Sequence, residues 1–138
     1  VDQAVFDQMA QAMKQDRAKF FAGFFKDFFG VGVLSHPVSD EVVQWAWTTA
    51  MQAGLKPTLA CAQSFATTDF RGDLPAFRVP TLVIHGTKDA TVPIDASGRP
   101  AAQGIAQATL IEYDGAPHGL FATHKDRLTQ DLLAFLRG

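Results

Sequence analysis

Two short segments in the last third of this 138-residue chain carry the residue types of a proton-transfer couple. The first is His85-Gly86-Thr87-Lys88-Asp89, with Val92-Pro93 just behind it, and the second is Gly115-Ala116-Pro117-His118-Gly119. A carboxylate bonded to one imidazole nitrogen fixes the ring's tautomer and stabilises the imidazolium that forms when the other nitrogen takes a proton from a nucleophile. Asp89 and His118 are therefore the candidate acid and base. Gly86, Gly115 and Gly119 would let the backbone turn tightly around them. No serine completes the set, since Ser35, Ser39, Ser64 and Ser97 all lack the flanking glycines of a Gly-x-Ser-x-Gly turn.

Each residue also has an ordinary reading. An Asp in a loop commonly turns the backbone, and only the matching positions of the two segments give the pair its meaning. His85 reads as a structural residue at a strand end, its side chain lying before the turn rather than over the active edge. His124 belongs to the start of the last helix, and His36 precedes Pro37 in a loop. A metal site built from His85, Asp89 and His118 would lack the helical histidine pair or cysteine pair of the usual motifs, so no metal is expected.

The elements that must position the couple follow from periodicity. Pro80 followed by Thr81-Leu82-Val83-Ile84-His85 is a short apolar, β-branched run, the pattern of a strand buried on both faces of a parallel sheet. Thr109-Leu110-Ile111-Glu112-Tyr113 is a second strand. The stretch between them is too long for a hairpin and suits a right-handed crossover, with a helix between Ser97 and Gln107. As parallel neighbours roughly 4.8 Å apart, the two strands release their loops at one edge, where Asp89 and His118 can meet. A last helix is expected from the capping box Thr123-x-x-Asp126, packing Leu128, Leu132, Leu133, Phe135 and Leu136 against the sheet.

Before residue 71 the pattern is helical throughout. Phe20, Phe24 and Phe28 repeat at helical spacing beside Phe21, Phe25 and Phe29, and Gly30 and Gly32 end that helix. Ser39 caps a second helix, which runs through Val42, Trp45, Ala46 and Met51 to Gly54. Pro57 suits the first turn of a third, ending near Phe65. The organisation expected is residues 1–70 as a helical segment and 71–138 as a βαβα part of an α/β core. Two strands are too few for a stable parallel sheet.

Composition narrows the partners. A net charge of −2 and no basic patch argue against nucleic acid or an anionic membrane surface. No apolar run reaches the ~18 residues of a membrane span. The single cysteine, Cys61, cannot form an internal disulfide and reads as a small core residue, which suits the cytoplasm. With 47% apolar and 19% charged residues the chain is apolar for a free domain, as though part of its surface awaits a partner. The opening Val1-Asp2-Gln3-Ala4-Val5-Phe6 reads as a cut or processed end.

From Thr68-Asp69-Phe70 onward the chain resembles the C-terminal part of a cofactor-free haloperoxidase-type esterase of the α/β-hydrolase superfamily. The residues that carry the resemblance are Asp69-Phe70, Val79-Pro80-Thr81-Leu82-Val83-Ile84-His85-Gly86, Asp89, Val92-Pro93, Ser97-Gly98, Ala116-Pro117-His118-Gly119, Thr123-His124 and Asp131-Leu132-Leu133-Ala134-Phe135-Leu136. The first 67 residues resemble the helical cap between the family's sixth and seventh strands, most clearly at Asp16-Arg17-Ala18-Lys19-Phe20. Gly98 and Pro100 depart from the family where a helix usually follows the acid loop, which implies a late start with Pro100 in the first turn.

The resemblance implies a serine hydrolase of triad order Ser, Asp, His, with Asp89 and His118 in the last two places. The nucleophile and oxyanion hole would come from a separate N-terminal fragment carrying Gly-x-Ser-x-Gly, and the assembled enzyme, possible as a homo-oligomer, would cleave small carboxylic esters without a cofactor. Peroxide in place of water would give a peracid and a haloperoxidase side activity. Phe20 and Phe24, with Thr91 and Ile94 just past Asp89, are the expected acyl pocket, although an aromatic stripe at helical spacing also suits plain core. The alternatives are a non-catalytic structural fragment, or part of a dehalogenase or C–C hydrolase of the same superfamily.

Overall fold

The structure, a computed structural model, describes residues 3–138, so the expectation of a cut end at Val1-Asp2 lies outside the described residues. The chain divides into two compact units. One comprises the residues up to Lys26 together with Ser39–Asp69; the other comprises Asp27–Val38 and Phe70–Gly138. The last residues of the first helix and the stretch after it thus belong with the strands.

The first unit is helical. Helix α1, Gln3–Phe29, is two helical stretches joined at Asp16, whose backbone is extended. Asp16 Oδ1 accepts the Lys19 N–H at 2.9 Å, so this residue caps the phenylalanine-rich stretch at the point where the first one stops. Helix α2, Asp40–Met51, starts at Ser39, whose hydroxyl accepts from the Val42 N–H. Its covered face carries Val42, Val43, Ala46, Trp47 and Ala50. Trp45 points away and is 70% exposed. Trp47 instead donates its indole N–H to the Ala18 carbonyl at 2.9 Å, and the Arg17 guanidinium donates to the Ala53 carbonyl. Helix α3, Leu55–Thr67, has Pro57 in its first turn. Its covered row is Leu55, Leu59, Ala62 and Ala66; Cys61 lies off that row and is exposed, which corrects its reading as a core residue.

The second unit holds the sheet. Strands β1, Thr81–Gly86, and β2, Ala108–Tyr113, pair in parallel with Thr81 opposite Ala108 and Gly86 opposite Tyr113. Between them run a 3-10 turn, Ile94–Ala96, and helix α4, Gly98–Gly104, in which Pro100 occupies the first turn as expected. The core gathers Phe29, Ile94, Ile105, Tyr113 and Ala116. Leu82, Val83 and Ile84 are half-buried rather than buried on both faces, because β1 has β2 as its one hydrogen-bonded neighbour among the described residues.

The chain's end departs from the expected capping box. Thr123 closes a short helix, α5, Leu120–Thr123, and the cap of helix α6, Lys125–Arg137, is His124, without a side-chain hydrogen bond to the helix. The Thr123 hydroxyl meets the neighbouring His124 Nδ1 at 2.7 Å, so it is engaged before it could reach the helix amides. The expected packing of α6 on the sheet is likewise partial. Leu128 is half-buried, whereas Leu132 and Leu133 are 43% and Leu136 77% exposed. Polar contacts tether α6 to β2: the Tyr113 hydroxyl donates to Asp131 Oδ2 at 2.5 Å, and the Arg127 guanidinium lies 3.9 Å over the Tyr113 ring. No helix among the described residues is long and apolar enough to cross a membrane.

Candidate active site

Parallel pairing delivers the ends of β1 and β2 side by side, and the loops that leave them are tied to each other by main-chain bonds. The Thr87 N–H donates to Tyr113 O at 3.0 Å and the Lys88 N–H to Ala116 O at 3.1 Å. Thr87 adds a side-chain bridge, donating to Asp114 Oδ1 at 3.1 Å and accepting the Gly115 N–H at 2.8 Å. Gly115 adopts φ +71, which a side chain would resist. A Cβ on Gly86 would fall 2.2 Å from the Ala116 carbonyl oxygen, so this close approach of the two loops requires glycine.

On that support Asp89 and His118 meet. His118 Nδ1 lies 2.7 Å from Asp89 Oδ2. The other carboxylate oxygen, Oδ1, accepts the Thr91 N–H at 2.9 Å and the Val92 N–H at 2.7 Å, a turn built on the acid's own loop. Because Asp89 Oδ2 is an acceptor, Nδ1 of His118 carries the proton and Nε2 keeps its lone pair. The Asp89 side chain is 3% exposed and that of His118 32%, so the acid is enclosed while the base reaches the surface. The Phe28 ring, its centroid 4.7 Å from that of the imidazole and inclined at 67°, holds one side of His118, and the Gly119 N–H donates to Phe28 O at 2.7 Å. Beside the couple lies an open cleft of about 340 Å³, whose walls include Leu82, Ile84, His85, Leu128 and Leu132.

His85 corrects the sequence reading. Its side chain does not lie away from the acid; Nε2 stands 3.1 Å from Asp89 Oδ2 and 2.9 Å from the Val92 carbonyl oxygen. The i,i+4 spacing from His85 to Asp89 was visible, but its consequence depends on the loop folding back after Gly86, for which the spacing gives no signal. Among the pocket candidates, Thr91 contributes its N–H to the acid, and Ile94 is buried in the second unit. Phe20 and Phe24 belong to the first unit and stack on each other with centroids 5.9 Å apart.

Two titratable groups nearby are structural. Glu112 receives two bonds from the Arg99 guanidinium, at 2.8 and 2.7 Å, and these hold its carboxyl below the usual range. Tyr113 is fully buried, and that burial, reinforced by its bond to Asp131, pushes its hydroxyl up to about 12.

Comparison with known proteins agrees with this arrangement. The family model described as alpha/beta hydrolase fold matches residues 2–125. A putative non-heme chloroperoxidase of Synechocystis sp. is 41% identical over 99% of this chain and 50% of its own length. The bifunctional esterase/perhydrolase DCH of Acinetobacter calcoaceticus is 36% identical over 96% of this chain and 49% of its own. The crystal structure of a bromoperoxidase from Bacillus anthracis superposes on the whole chain and on 50% of its own, with a TM-score of 0.95 and 38% identity. The chain thus spans about half the length of the curated relatives it matches. With a strand pair, a crossover helix and an acid–histidine contact at the strand ends, this chain belongs to the α/β-hydrolase fold family.

Proposed function

We propose that Asp89 and His118 are the acid and base of a serine hydrolase that cleaves small carboxylic esters, its serine and oxyanion-hole amides supplied by an N-terminal fragment of the same fold. The observation that carries this reading is the 2.7 Å contact between His118 Nδ1 and Asp89 Oδ2, which leaves Nε2 as the nitrogen able to take a proton. In the first half-reaction Nε2 accepts the serine proton as Oγ adds to the ester carbonyl, then returns it to the departing alkoxide. In the second, Nε2 takes a proton from water as its oxygen adds to the acyl-enzyme; serine leaves with that proton and the carboxylic acid is released. Asp89 stays ionised throughout and balances the imidazolium. Hydrogen peroxide in place of water yields a peracid, in keeping with the perhydrolase and haloperoxidase names of the relatives.

The need for a partner is supported by the sequence, which holds no Gly-x-Ser-x-Gly, and by the surface, where β1 is paired on one side and leucines of α6 stand exposed. Removing a single oxyanion donor costs roughly a hundredfold to a thousandfold in rate, so these 138 residues alone turn over ester near background. Thr91 and Ile94, beside the acid in sequence, are proposed acyl contacts; Phe20 and Phe24 are proposed on sequence grounds. The free Cys61 fits a cytoplasmic setting. Denaturing mass spectrometry of an esterase-active preparation is expected to reveal a serine-bearing polypeptide beside this chain. Ester turnover by these residues alone would overturn the reading.

A further inference from the structure

The Asp89 carboxylate is held by more than its own loop and its histidine. Oδ1 is used by two backbone N–H groups, while Oδ2 faces two imidazoles, His118 Nδ1 at 2.7 Å and His85 Nε2 at 3.1 Å. His85 is the residue of β1 just before Gly86, so it reaches the acid from the sheet. Its Nε2 meets a second acceptor, the Val92 carbonyl, at 2.9 Å. A lone pair aimed at two oxygens would be repelled by both, so Nε2 carries the proton, donates it to the Val92 carbonyl and holds it beside Oδ2. The ring is 14% exposed and is backed by Gly98 at the start of α4, where a Cβ would come 2.7 Å from His85 Nδ1.

We propose that His85 is a positioning residue for the acid, its Nε2–H anchored on Val92 O and lying against Asp89 Oδ2, a clamp that keeps the carboxylate aimed at His118. A neutral donor suits this task. It sets the positive end of an N–H dipole beside Oδ2 without adding a full charge, leaving the carboxylate's charge to the imidazolium formed at His118. It also closes the Asp89–Val92 turn from the outside, because the residue whose N–H serves Oδ1 is the one whose carbonyl takes the His85 proton. Without the clamp one restraint on Oδ2 is lost, and a displacement of about 1 Å at a reacting group can cost on the order of a hundredfold.

The inference rests on the esterase reading for its catalytic consequence but not for its geometry, and the test separates the two. Long-range ¹⁵N correlation NMR of the chain, with labelled histidine, is expected to show His85 as the Nε2–H tautomer and His118 as the Nδ1–H tautomer. In His85→Leu the His118 signal should become a mixture of tautomers; in His85→Gln, whose amide can donate to Val92 O beside Oδ2, it should return toward the wild-type form. Gly98→Ala, which displaces the ring without altering its chemistry, should give an intermediate mixture and serves if His85→Leu does not fold. In the assembled esterase His85→Leu should lower kcat by roughly tenfold to a hundredfold at unchanged KM, with most of the loss recovered in His85→Gln. A His85 Nδ1–H tautomer, or a His118 tautomer indifferent to His85→Leu, overturns the clamp. Absence of turnover in the wild-type assembly overturns the esterase reading instead, and the tautomers still decide the clamp.

Discussion

Replacing Asp89 with Asn keeps the shape of the side chain and removes its charge, and the groups around it dictate the response. The carboxylate accepts three N–H groups at 2.7 to 2.9 Å, and His85 Nε2 stands 3.1 Å from Oδ2. An amide offers one carbonyl oxygen. With that oxygen kept on Thr91 and Val92, the NH₂ faces His118 and His85; His118 can answer only by moving its proton to Nε2 so that Nδ1 accepts. That tautomer has no lone pair where the serine proton must go. Loss of the correct tautomer costs a triad hydrolase on the order of 10⁴-fold in kcat, about 5.4 kcal/mol of barrier at 1.36 kcal/mol per tenfold. Stability falls far less. His118 recovers a partner by switching tautomer and His85 keeps the Val92 carbonyl, so the net loss is close to one charge-assisted hydrogen bond, about 1.5–3 kcal/mol. The assay pairs initial rates on an aryl ester with urea titration of the same sample. A variant within tenfold of wild-type kcat, or one whose His118 stays Nδ1-protonated by ¹⁵N NMR, would refute the reasoning.

Three further outcomes are expected. Gly86→Ala drives a methyl group into the Ala116 carbonyl and should destabilise by about 1–3 kcal/mol, read as a lowered urea midpoint, while reducing kcat because the displaced loop carries His118. Tyr113→Phe removes the donor to Asp131 and should cost about 1.5–3 kcal/mol at neutral pH. Because the folded-state pKa is raised, wild-type should hold this contribution below about pH 10 and lose it as the pH rises through about 12, so the two urea midpoints should converge there. Glu112 shows the opposite sign. Its carboxyl is held low by Arg99, so Arg99→Met should destabilise the chain above pH 4.5, with the difference shrinking as the pH falls through the depressed value in acid denaturation followed by circular dichroism.

Much of the fold and the site was legible in the residues. The β-branched runs at Thr81 and Thr109 marked both strands, and the length between them required a parallel crossover, which placed Asp89 and His118 at one edge. Ser39 and Gly30 marked helix ends because capping is local chemistry. The features that escaped depended on tertiary detail. Thr123 looked like a cap, but its hydroxyl is engaged by the adjacent His124, and a pattern of types at fixed spacing does not register that competition. Cys61 fell on the outer face of its helix, a matter of phase that composition does not set. His85 was read as turned away because strand alternation stops being a guide where the chain folds back on itself after Gly86.

The central claim is that His118, aligned by Asp89, draws a proton from a serine outside these 138 residues. Rapid quenching of an active preparation during turnover of an aryl ester, followed by intact-mass and peptide analysis, tests it most directly. The acyl group should appear on the serine of a Gly-x-Ser-x-Gly peptide, with none on this chain, and His118→Ala should nearly abolish its formation. Acylation of a residue within this chain, or an acylation rate unchanged in His118→Ala, would contradict the account.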